Sequence, residues 1–102
     1  MTAPDDLRIL RAAEHHARSV SKEFDAHVID CAGSLKPMVF AGVHILLGQT
    51  SDGTVCIRLD GTNVSLCHWS AAYGIDNMEE TICRVPLPGH LRRQLSRLKE
   101  TS

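Results

Sequence analysis

Two Asp-Gly pairs, Asp52-Gly53 and Asp60-Gly61, bracket the run Thr54-Val55-Cys56-Ile57-Arg58-Leu59, in which apolar residues alternate with others. Glycine accepts the positive φ that tight turns demand, so Asp-Gly between alternating segments marks a chain reversal. Two such marks eight residues apart predict an antiparallel meander through the middle of the chain. A three-residue loop Ser51-Asp52-Gly53 places Thr50 opposite Thr54. In that register Val43, Ile45 and Leu47 share a face with Val55, Ile57 and Leu59, and a slip of one residue would separate them. Taken as a two-residue loop, Asp60-Gly61 pairs Leu59 with Thr62 and Ile57 with Val64, which adds Val64, Leu66 and His68 to the same inner face.

The flanks read as helices. Leu7, Leu10, Ala13, Ala17, Val20 and Phe24 step by three and four, the spacing of one helical face. Thr2-Ala3-Pro4-Asp5 fits a capping pattern, and Asp5 and Asp6 suit the positive end of a helix. The stripe ends near Phe24 or continues to Ala32. The longer form would be roughly 45 Å long, too long for a domain with an expected radius of gyration of ~13 Å. A break near Phe24 to Ala26 is therefore favoured, with a short strand through His27-Val28-Ile29-Asp30-Cys31. Met38 to Gly48 reads as one strand apolar on both faces, Ser70 to Met78 as a loop or short helical turn, and Glu79 to Val85 as a last strand. Leu91, Leu95 and Leu98 form the stripe of a final helix. The expected fold class is α+β: a two-layer sandwich with the N-terminal helix on a four- or five-stranded antiparallel meander and a short C-terminal helix.

At 102 residues the chain is expected to be a single domain, 1–102, with one core. A net charge of -1, with 43% hydrophobic and 23% charged residues, excludes a disordered or strongly polyanion-coating chain. The absence of a basic-then-apolar leader, and of any apolar run near ~20 residues, leads to the expectation of a cytoplasmic protein without a membrane segment. In that compartment Cys31, Cys56, Cys67 and Cys83, with no C-x-x-C pair, are expected as free thiols.

No catalytic, metal or nucleotide motif stands out, so function rests on the surface that the fold leaves over. By the register above, the outer sheet face carries Phe40, His44 and Leu46, then Cys56, Arg58 and Asp60, then Ser65, Cys67 and Trp69. Its competing readings are a binding surface, or a face covered by the C-terminal helix or a second copy. The favoured function is a non-enzymatic binding module that self-associates through a sheet face or edge. His44, Arg58, Cys67, Trp69 and Tyr73 are its ligand or partner site, and the occupant is a small molecule or a protein. A homo-oligomer is expected.

Two alternatives stand beside it. One is a small thiol enzyme that uses Cys67 or Cys56 with His44. Adjacent Cys67 and His68 point to opposite faces of a strand and cannot form the dyad. The other is binding of nucleic acid or an acidic partner by the basic C-terminal segment with Arg92, Arg93, Arg97 and Lys99. No aromatic residue lies in that segment for base stacking, so nucleic acid is disfavoured. Six histidines raise the question of metal, but His15 and His16 diverge by about 100° on a helix and no other pair has chelating spacing. No metal and no cofactor is assigned.

Overall fold

The computed structural model describes residues 5–40, 42–50, 53–68 and 81–101. The first helix, α1, spans Asp5–Val20, with Asp5 and Asp6 in its first turn and Arg18 in its last. That charge order complements the helix dipole. Leu7, Leu10, Ala13 and Ala17 are buried along one face, as their spacing requires. The Thr2 to Pro4 part of the cap lies outside the described residues.

The helix breaks at Ser21, earlier than expected, and the next segment is a second helix rather than a strand. This α2 spans Lys22–Val28. Ser21 Oγ accepts the Phe24 N–H at 3.2 Å, and Arg18 Nε bridges the break to Asp25 Oδ1 at 2.7 Å. Phe24 and Val28, four apart, are both fully buried, while β-branched Ile29 is 58% exposed. A helical turn places Phe24 and Val28 on one face, so tertiary burial overrides the strand preference of Val28-Ile29. A 3₁₀ turn, Ala32–Ser34, leads into the sheet.

The sheet has five strands in simple meander order: β1 Lys36–Phe40, β2 Val43–Thr50, β3 Gly53–Asp60, β4 Asn63–His68 and β5 Thr81–Pro86. The expected single strand from Met38 to Gly48 is thus a hairpin, with Phe40 opposite Val43 and Gly42 at φ 80. Ala41-Gly42 lacks the Asn or Asp that normally announces such a turn.

The two Asp-Gly turns both differ from expectation, with unequal results. Thr50 pairs with Gly53, so the first loop has two residues and Gly53, at φ 127, already belongs to β3. This slip of one residue exchanges the faces of β2. Leu46 pairs with Ile57 and Gly48 with Val55, while Leu47 pairs with Cys56. Even-numbered β2 residues therefore face the helices, and Ile45 and Leu47 face away. At the second turn Asp60 pairs with Asn63 and Ile57 with Leu66. That is a shift of two, which leaves Val64 and Leu66 on the expected side.

Gly48 supplies a physical reason for the first register. A Cβ at this position would lie 2.6 Å from Cys31 Sγ and 2.8 Å from Leu35 Cδ2. The helical layer comes so close there that only glycine fits.

The last helix, α3, spans Gly89–Thr101 and packs against α1. Leu91 joins the helix-side core with Leu10, Phe24, Ile57 and Leu66. The C-terminal helix therefore lies on the same side as α1 and does not cover the outer sheet face. The fold is α+β, with α1 on a five-stranded antiparallel sheet and a short C-terminal helix. Its radius of gyration is 12.9 Å.

Candidate functional site

The sheet face away from the helices carries Ile45, Cys56, Ser65 and Cys67, and all four are buried. The sequence offered two readings of this face, a binding surface or one covered by the C-terminal helix or a second copy; it is buried within the chain, and α3 lies on the other side of the sheet. Cys56 and Cys67 are direct cross-strand partners and both are free thiols. Burial, and secondarily the neighbouring Cys67, pushes the Cys56 thiol up to about 12, while the charge of Arg58 opposes this. A thiol held neutral in this way is a poor nucleophile at ordinary pH. Burial also raises Cys31, whose Sγ–H donates to the Val28 carbonyl at 3.4 Å.

The imidazole expected beside these thiols lies elsewhere. His44 is on the helix-facing side, a direct result of the register at Thr50–Gly53, with its Nδ1 2.6 Å from Asp6 Oδ2. It pins the first turn of α1 to β2. His68 shares that side by its pairing with Val55 but is exposed at the strand end. No thiol and imidazole are brought together among the described residues.

Arg58 does share the outer face with Cys67, as expected, and is half-buried. Its Nε is buried without a hydrogen-bond partner among the described residues. Its cross-strand partner Ser65 donates to Asp60 Oδ2 at 3.4 Å, and Arg84 Nη2 reaches the same oxygen at 3.2 Å. Trp69 and Tyr73, and the loop assigned to Ser70 to Met78, lie outside the described residues. Of the five site residues expected from the sequence, Arg58 and Cys67 share a face and His44 does not.

A concave cleft runs along α3. Arg92, Arg93 and Arg97 line it with Ser96, and the β3–β4 turn supplies Gly61 and Thr62 from the opposite wall. Gly89 and Leu95 complete it, in a volume of about 670 Å³. Helical periodicity builds the basic wall, since 92 and 96 form one row and 93 and 97 the next. The turn is held beside the helix by the Leu87 N–H, which donates to the Thr62 carbonyl at 2.9 Å. Among the described residues no carboxylate lies in the lining. Asp60, next to Gly61, is already shared by Arg84 and Ser65.

The arginine series was visible in the sequence as a charged helical face and Asp60-Gly61 as a chain reversal, but their placement opposite one another was not. No group of three or more His, Cys, Asp or Glu suited to a metal occurs among the described residues, and none of their helices is long and apolar enough to cross a membrane. Comparison of the chain with known protein families, curated proteins and solved structures finds no match.

Proposed function

We propose that this protein is a non-enzymatic binding module that captures an anionic partner in the cleft between α3 and the β3–β4 turn. The observation that carries this reading is that Arg92, Arg93 and Arg97 line one concave surface, with no carboxylate among its described lining residues. Guanidinium groups hold carboxylates and phosphates through paired N–H donors, and a concave wall strengthens the field that they set up. The thiol-enzyme alternative loses support, because the buried Cys56 thiol is held neutral and His44 lies on the other side of the sheet.

The test is titration of the 15N-labelled protein at ~50 mM salt with inorganic phosphate, citrate and a hexaglutamate peptide, since such contacts weaken as salt screens them. Salt-sensitive shifts at the amides of Gly61, Thr62, Gly89 and Ser96 with at least one of these anions are expected. Silence at those amides with all three overturns the reading. Removal of α3 is not a usable control, because Leu91 belongs to the core.

A second reading rests on a different observation. The edge strand β1 and the start of β2 expose Val39 (58%) and Val43 (47%), and among the described residues β1 has a partner on one side only. Open edges pair with further strands, so self-association belongs to this edge rather than to the buried outer face. Light scattering at micromolar concentration tests it: a monomer rejects this reading.

A further inference from the structure

Resting on the cleft reading above, we infer that the ligand is a small, non-aromatic phosphate ester whose phosphate meets the guanidinium groups of Arg92 and Arg93, long side chains that both line the cleft although they leave the helix about 100° apart. Five observations converge on this class.

First, no ion pair of Arg92 or Arg93 occurs among the described residues. Second, they stand where the fold does not favour cations. The first turn of α3 contains no acid, whereas α1 opens with Asp5 and Asp6. A helix start carries partial positive charge, so arginines there add like charge to like charge. Third, Arg93 Nη1 lies 3.4 Å from where a Cβ at Gly89 would be, which places this guanidinium back over the first residue of α3, at the helix end.

Fourth, the volume of about 670 Å³ falls in the range of small-ligand sites, roughly 300–1,000 Å³. Fifth, among the described residues the lining has one apolar side chain, Leu95, and no aromatic ring on which a flat base could stack. A compact group with two negative charges and several acceptor oxygens satisfies two guanidinium forks at once. The Ser96 hydroxyl and the Gly61–Thr62 turn are left to meet the polar remainder of the ester.

Isothermal titration with glycerol 3-phosphate, citrate and AMP, read together with the amide shifts of the cleft, tests the inference. Glycerol 3-phosphate is expected to bind about tenfold or more tightly than citrate, the equivalent of one charged hydrogen bond. AMP is expected to gain nothing over it. Arg93→Gln should weaken glycerol 3-phosphate about tenfold, Arg93→Lys should recover part of the loss, and Lys22→Gln on α2 should leave affinity within about twofold. Arg92 and Arg93 are exposed, so their replacement leaves the core intact, which the amide spectrum verifies directly.

If citrate or hexaglutamate binds as tightly as the phosphate ester, the phosphate class is wrong and the anion cleft survives. If AMP binds more than tenfold tighter, the non-aromatic assignment is wrong. If no anion moves the cleft amides, this inference and the cleft reading fall together.

Discussion

On its helix-facing side the sheet presents Leu46, Val55, Ile57, Val64 and Leu66 to Leu10, Ala13, Ala17, Phe24 and Val28, a core of hydrocarbon. On its other side Ile45 is buried with Cys56, Ser65 and Cys67, and half-buried Arg58 lies at the rim. The first face is held by shape, so its failures should be cavities and clashes. The second face buries groups that interact with protons and donors, so its failures should appear in pH dependence and in polar pairing.

The largest expected effect is on the first face: Phe24→Ala should cost about 3–5 kcal/mol in urea unfolding, because a fully buried ring would leave a void between α2 and the sheet. A loss below about 1 kcal/mol would show that the helical layer does not seal this face. Next comes Gly48→Ala, which places a methyl against Cys31 Sγ and Leu35 Cδ2 and should cost about 1–3 kcal/mol. The double variant Cys31→Ala/Gly48→Ala should recover part of that loss, and strict additivity would contradict the close approach.

The second face makes a prediction in pH. An unfolded Cys56 thiol ionises near its ordinary value of 9.0, while the folded one stays neutral up to about 12. Between those values the unfolded chain binds fewer protons, so stability should fall as pH rises through this window. Cys56→Ala should flatten the decline, and an unchanged alkaline unfolding curve would rule out the buried neutral thiol as its source. The smallest effect belongs to Arg58→Met, which removes a buried N–H with no partner among the described residues while keeping the aliphatic stem. It should change stability by less than about 1 kcal/mol, in either direction. A loss of several kcal/mol would mean that Arg58 holds the outer face together.

The contrast between the faces also explains which parts of the molecule were legible in the chain. Period-three-and-four spacing located α1 and α3, and the Asp-Gly pairs located β3, because these signals are local. Loop length was harder. The shift of two at Asp60–Asn63 changed nothing about facing, while the shift of one at Thr50–Gly53 moved His44 away from Cys56 and Arg58. The deciding feature was Gly48, whose meaning depends on Cys31 and Leu35 arriving from a separate element. Ser21 was likewise readable as a cap only once Phe24 and Val28 were seen to share a buried face. The basic wall of the cleft was written in Arg92, Arg93 and Arg97, but a wall becomes a cleft only when Gly61 and Thr62, about thirty residues upstream, come to stand opposite it.

The packing of α1 on α3 has a consequence for how the chain assembles. Each strand finds its partner in its immediate neighbour, so the sheet can zip up from one hairpin with little loop-closure entropy. The helical layer is different, because it joins Leu7 and Leu10 to Leu91 across nearly the whole polypeptide. During synthesis the oily stripe of the first helix emerges long before its last covering element exists. That interval is when this protein is most exposed to aggregation, and slowing the delivery of residues 89–101 should lengthen it.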